Sequence, residues 1–411
     1  MLSPNLTPEL QAIQAKAQEL AADFATRAAQ HDQDRSAPVE NYAMLRDAGF
    51  FGLTVPKEYG GLGAGFLGWA VVAEELAQGC PSTALSFNMH VMNTGIVYED
   101  PDMPESARRR VAELVIDEGK LTCGIASEPG SSSHLGGSFQ MYTRAKKVEG
   151  GYRVYGTKRY ATMWEASDLA FMWVMPEGAA SPSAALGLMV PTHGEGVTVQ
   201  DVWDTMGMRA TRSNTVTLDG VFVPEANALY GVDNWAEAFL AKNGAWSYGA
   251  YTNVYLGVGV GILNTMKQLS GNRVAKGYAQ PMSYHPDVRR RVAEVAVELD
   301  AARLMLRHAA AMHMELGPSF ATVEAFMKAK YMTGRAVSKA AQYATVACGV
   351  TSLARAAGLE RLIRDAATAP IQPPSEDFAL DMISQMELGL NPAELMPPLK
   401  LLSGKELEPV K

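Results

Sequence analysis

The chain has 411 residues, enough for two or three domains at about 150 residues each, and carries 36 Lys plus Arg against 44 Asp plus Glu, a net charge of −8. At 47% hydrophobic and 19% charged residues the composition excludes a disordered or collagen-like chain, and the acidic balance speaks against nucleic-acid partners. No apolar stretch approaches the ~20 residues of a membrane span. The N-terminus MLSPNLTPEL lacks the charged and apolar regions of a secretory signal. The three scattered cysteines, Cys80, Cys123 and Cys348, suit a reducing compartment, and a cytoplasmic location is expected.

In chain order, residues 8–30 are rich in Ala, Leu, Glu and Gln with apolar positions at helical spacing. AMLRDAGFFGL (43–53) and a Pro/Gly-rich loop at 55–65 follow. GFLGWAVVAEELAQG (65–79) and SARRRVAELVIDEG (106–119) read as further helices. The pattern changes near Lys120. Residues 121–227 hold short β-like runs, among them GYRVYGTKRYATM, LAFMWVM and NTVTLDGVFVP, punctuated by Gly, Pro and Ser. From about 233 onward three long helical runs with short links predict an antiparallel bundle. The expected fold class is α+β, in three domains: residues 1–120 helical, 121–232 a β-barrel or sandwich, and 233–411 a four-helix bundle.

Several local signals carry little. Gly257, Gly259 and Gly261 lie inside a helical run, where small residues serve close helix packing; a nucleotide loop needs strand–turn–helix context. His308 and His313 are five apart and do not share a helix face as a metal pair would. No CxxC or HExxH pattern occurs, so no metal is expected. His90 sits among apolar residues and reads as a core histidine.

Five segments in one order carry the functional signal: RDAGFFGLTVPKEYGGLG…VVAEELA (46–76), GIASEPGSSS (124–133), RAKKVEGGYRVYGTKRYAT (144–162), MGMRATRSNTVTLDGVFVP (206–224) and LERLIRDAA (359–367). Together they resemble the acyl-CoA dehydrogenase superfamily from about residue 10 to about 385. The resemblance implies a helical domain, a β-domain and a four-helix bundle, with bound FAD between the last two. It also implies a homotetramer or homodimer in which a neighbouring subunit touches the FAD.

Flavin contacts follow from the resemblance residue by residue. Ile125, Ala126 and Ser127, with Gly124 before them, match the segment along the flavin pyrimidine, and Ser133 matches the serine of the following glycine-rich turn. Tyr160 and Thr162 match the aromatic–x–Thr unit that stacks beside the ring and addresses N5. Arg273 matches the arginine that pairs with the pyrophosphate. Ser375 is a further candidate contact, and by its own sequence an N-cap.

In the family one Glu takes the α-proton of an acyl-CoA thioester while hydride leaves the β-carbon for the flavin, and its backbone N–H polarises the carbonyl. It lies nine residues after the Arg of Arg-Asp-Ala. Counting from Arg364 reaches Pro373, which has neither carboxylate nor N–H. Some relatives place the base near what is here Ser247, again not a carboxylate. Glu376 is then the candidate relocated base, with a helix first turn beside Asp377 as its other reading; Tyr248 is a phenol near the alternative position, and His90 an alternative acid or base. The expected activity is α,β-desaturation of an acyl-CoA with a non-standard base, with an electron acceptor the sequence does not name. Two alternatives remain: the superfamily's flavin monooxygenase branch, and a degenerate partner subunit of a heteromeric dehydrogenase.

Overall fold

The computed structural model describes residues 6–130, 141–391 and 395. The chain opens with helices α1 (Pro8–Ala25), α2 (Ala28–Asp34), α3 (Val39–Asp47), α4 (Gly65–Gly79), α5 (Pro81–Glu99) and α6 (Glu105–Ala112). Thr7 caps α1 by accepting from the Leu10 N–H at 3.3 Å, Pro8 follows it, and Ala17, Leu20, Ala21 and Phe24 form one buried stripe. Nearly all of α5 is buried, on every side. Such a helix has no polar face, so its sequence shows no 3.6-residue alternation, which is why STALSFNMHVMN does not announce itself as helical.

Eight strands follow: β1 (Thr122–Ile125), β2 (Arg144–Val148), β3 (Gly151–Ala161), β4 (Leu169–Pro176), β5 (Ala185–Pro191), β6 (Val197–Gln200), β7 (Asn214–Pro224) and β8 (Ala228–Val232). They form one sheet in the order β6-β7-β3-β2-β4-β5-β8, with β1 paired to β4 beside that path. The β1–β4 pairing is parallel, Thr122 opposite Leu169 through Ile125 opposite Met172. The long β3–β7 pair is antiparallel and interrupted by irregularities after Val154 and Lys158. The second of these turns the chain at Tyr160.

The last part holds the short α7 (Trp235–Ala238), two π-helical turns at Phe239–Asn243 and Ala245–Gly249, then α8 (Ala250–Asn272), α9 (Pro286–Leu316), α10 (Phe320–Cys348), α11 (Leu359–Ala366) and α12 (Glu376–Glu387). Ser319 and Thr322 form a reciprocal capping box on α10. The glycines of α8 serve packing: a Cβ at Gly257 would strike the carbonyl of Glu74 on α4. A buried ionic cluster joins α4 to α9, with Glu74 accepting from Arg303 at 2.8 Å and Arg307 at 2.9 Å. Among the described residues no helix is long and apolar enough to cross a membrane.

The three parts meet at one point. Arg364 on α11 grips Asp32 on α2 with two hydrogen bonds, at 2.6 and 3.1 Å, and donates to the Met206 carbonyl at 2.7 Å. Asp365 accepts from the Met208 N–H at 2.6 Å. Two of the sequence segments that carried the resemblance, MGMRA and LIRDA, are therefore the two halves of one clamp.

Candidate functional site

Backbone geometry defines the site before side chains do. The carbonyl of Ser127 accepts from the Arg159 N–H at 3.0 Å. That bond brings the Gly124–Ser127 segment beside the Tyr160–Thr162 turn. The Thr162 hydroxyl meets the Ser213 hydroxyl at 2.7 Å, and Ser213 meets Thr211 at 2.8 Å. Tyr160 is 56% exposed and stands edge-on to Trp203 at 6.2 Å between ring centroids. Ile125, Ala126, Ser127, Tyr160 and Thr162 are thus brought together.

The same region holds strained backbone. Among the described residues five non-glycines have positive φ, and four lie here: Tyr160 (61°), Met163 (63°), Met208 (53°) and Arg212 (50°). Two of them are held by hydrogen bonds, from the Met163 N–H to the Thr211 carbonyl at 2.9 Å and from Trp203 Nε1 to the Met208 carbonyl at 3.0 Å. A bulky residue in this conformation costs about 1–3 kcal/mol and persists where the surroundings enforce it, typically at functional sites.

Beneath the turn lies a buried ionic clamp that the sequence does not disclose. Lys158, with its side chain fully buried, donates to Glu128 at 2.6 Å and to the Trp173 carbonyl at 3.1 Å. Glu128 also accepts from the N–H groups of Tyr142 and Thr143. The Glu of the Glu-Pro turn therefore anchors the backbone and faces inward.

Of the remaining sequence-derived candidates, Arg273 sits at the end of α8, where Nη1 donates to the Cys348 carbonyl at 3.2 Å. Ser133 lies outside the described residues. Ser375 is buried, and its hydroxyl accepts from the Phe378 N–H at 3.3 Å, which makes it the N-cap of α12.

The candidate bases are buried or half-buried. His90 is fully buried; its Nε2–H donates to the Phe51 carbonyl at 2.9 Å, and Nδ1 accepts from the Thr122 N–H at 3.1 Å. Burial pushes its pKa down to about 4, against the support of those two bonds. The ring is a neutral core histidine, and the expectation of an alternative acid or base is corrected on that ground. Glu376 begins α12. Its N–H donates to the Pro370 carbonyl at 2.9 Å, its Oε1 lies over Gly334 of α10 without a partner, and burial raises its pKa while Lys330 and Arg335 pull the other way. The carboxylate thus packs against α10, with one oxygen unpaired among the described residues. Tyr248 is buried, its hydroxyl has no partner, and burial raises its pKa further. A phenol held protonated is no base at neutral pH.

The loop between α11 and α12 is closed by neighbours. Lys330 donates to the Ala369 carbonyl at 2.7 Å, and burial pushes its ammonium down to about 8. The Tyr255 hydroxyl meets Thr368 at 3.0 Å and donates to Gln372 at 3.4 Å.

Family models for the acyl-CoA dehydrogenase N-terminal, middle and C-terminal domains match residues 7–99, 123–221 and 251–385. The chain belongs to the acyl-CoA dehydrogenase superfamily. Its fold is accordingly the acyl-CoA dehydrogenase fold of helical, β and helical parts. Among superfamily relatives, a 3-sulfinopropanoyl-CoA desulfinase from Variovorax paradoxus is 29% identical over 86% of this chain and 88% of its own. A dibenzothiophene monooxygenase from Mycolicibacterium goodii is 28% identical over 72% of each. In structure, FMN-bound TdsC from Paenibacillus sp. A11-2 superposes with a TM-score of 0.83 at 22% identity, over 95% of this chain and 99% of its own. This acyl-CoA dehydrogenase-fold chain therefore has relatives with different chemistries, and its own residues must decide among them.

Proposed function

We propose that the chain is a flavin-dependent oxidoreductase that handles an acyl-CoA-type thioester without a carboxylate base on the α11–α12 loop. The observation that carries this is the make-up of that loop: Pro373 stands where the family's Glu is expected, and the nearest carboxylate, Glu376, packs over Gly334. α-Proton removal needs a positioned base within about 3 Å of the proton it takes; His90 and Tyr248 offer no suitably titrating atom, and the Glu376 carboxylate is turned onto Gly334 of α10.

The residues fit a bound flavin. Gly124–Ser127 offer backbone along one edge, Thr162, Ser213 and Thr211 supply a hydroxyl relay, and Tyr160 stands exposed beside them. The flavin would supply two-electron redox chemistry; this chain's part is to bind it, orient the substrate against it and exclude water. A thioester substrate is supported by the CoA-ester names of three relatives. Removal of a sulfinate group, as the desulfinase name describes, breaks a carbon–sulfur bond and so differs from α,β-desaturation. A second reading, oxygen-using chemistry, is favoured by the dibenzothiophene monooxygenase relative.

The test is anaerobic titration of the yellow holoprotein with butanoyl-CoA, after identifying the flavin released by denaturation. A shifted flavin band without bleaching is the expected result. Bleaching by the saturated thioester would overturn the reading in favour of desaturation. No spectral response to any CoA ester, with O₂ consumption only when reduced flavin is supplied, would favour the second reading.

A further inference from the structure

Helix α5 carries an unusual number of buried polar side chains, and most are paired within the chain. Thr83 accepts from Asn41 at 2.7 Å, Asn88 Oδ1 accepts from Trp69 at 2.9 Å, and Thr94 meets Thr54 at 2.6 Å. Ser86 Oγ and Asn88 Nδ2 lack a partner among the described residues, and Asn93 goes further, with neither of its polar atoms engaged. Asn93 is 3% exposed, yet among the described residues neither Oδ1 nor Nδ2 has a partner. A buried amide left unpaired is strongly disfavoured, so the group is placed for something the chain does not itself supply.

Its position says what. Helix α5 runs along β1: His90 accepts from the Thr122 N–H, and Asn93, one helical turn on, lies against Gly124, two residues further along the strand. A Cβ at Gly124 would come within 2.7 Å of Asn93 Oδ1 and 3.1 Å of Nδ2. The missing side chain at Gly124 therefore makes the space the carboxamide enters. Gly124 opens the segment that runs through Ser127 to the Tyr160 turn.

We propose that Asn93 is a cofactor-contacting residue whose carboxamide reads the imide edge of a flavin pyrimidine. Oδ1 accepts from the ring N3–H and Nδ2 donates to an adjacent ring carbonyl, the pairing that a planar carboxamide makes with a neighbouring donor and acceptor. The proposal rests on the flavin reading above and adds a recognition residue to it. Its sequence signal is faint: one polar residue among several on a helix buried on every side.

The test compares FMN and FAD with their N3-methylated analogues, which lack the ring donor, in wild type, Asn93→Leu and Asn93→Ala. Wild type should bind the better parent flavin about tenfold more tightly than its N3-methyl form, the effect of losing a buried hydrogen bond. Asn93→Leu should bind the parent about tenfold more weakly, lose the discrimination, and melt no lower than wild type without flavin, because it removes an unpaired buried amide. Equal binding of parent and methylated flavin by wild type overturns the proposal whether or not the variants fold. So does unchanged affinity with intact discrimination in Asn93→Leu, or an effect confined to substrate KM. If wild type binds neither FMN nor FAD, the flavin reading itself falls and the assignment of Asn93 with it.

Discussion

The β-domain face and the α11–α12 loop are built in opposite ways. The face keeps strained backbone at Tyr160, Met163, Met208 and Arg212, an exposed aromatic ring, and an unpaired carboxamide. The loop has prolines at 370, 373 and 374, carbonyls bonded to Lys330 and to the Glu376 N–H, and a capped helix start. Unmet polar capacity and strain mark where a ligand is awaited; satisfied groups mark where structure is being held. In this chain the cofactor side has the first character; the expected base-bearing side has mostly the second, with Glu376 Oε1 left unpaired among the described residues.

The comparison can be broken most severely at the clamp under the face. Lys158→Met leaves the Glu128 carboxylate buried without its ammonium, and the expected loss is about 3–5 kcal/mol of stability, read from urea unfolding. The double variant with Glu128→Gln should recover much of it. A loss below about 1 kcal/mol in Lys158→Met would show that the face does not depend on this pair.

Next comes His90. Its folded pKa of about 4 lies below the 6.5 of a free imidazole, so the neutral ring stabilises the fold above pH 6.5. That contribution, about 3 kcal/mol, is lost as pH falls from 6.5 toward 4. His90→Gln keeps a donor and an acceptor without titrating. Its stability should fall less steeply than that of wild type over this window; parallel curves would mean the ring is not held neutral by the core.

The smallest effect sharpens the other side. Glu376→Gln should change stability by at most about 1 kcal/mol and leave turnover of any substrate intact. Loss of turnover by the 10²–10⁴-fold expected of a missing general base would restore Glu376 to the chemistry and remove the contrast.

How much of this the sequence discloses depends on the kind of interaction. The order of helical, β and helical parts is legible because periods of 3.6 and 2 are local properties, and β4, β7, α9 and α10 follow runs visible by eye. The α12 start is equally legible: Ser375 followed by Glu376 and Asp377 spells a cap, and the structure has one. α5 is obscured because burial on every side erases the alternation that identifies a helix. Lys158 and Glu128 are obscured because a lysine reads as surface unless its partner is known, and the two are thirty residues apart. Asn93 escapes notice because its role depends on an atom that is not there, the Cβ of Gly124.

The junction of Asp32, Met206, Met208, Arg364 and Asp365 bears on how the protein comes apart. The helical, β and bundle segments match separate family models, which suggests modules that could be shuffled or expressed alone. Yet Asp32 and the Met208 N–H find their partners on α11, more than 150 residues further along the chain. A fragment ending before residue 359 would strand both groups, one of them in a buried position. The polypeptide is accordingly indivisible in its melting: calorimetry should record one cooperative transition, with α2 and α11 released together.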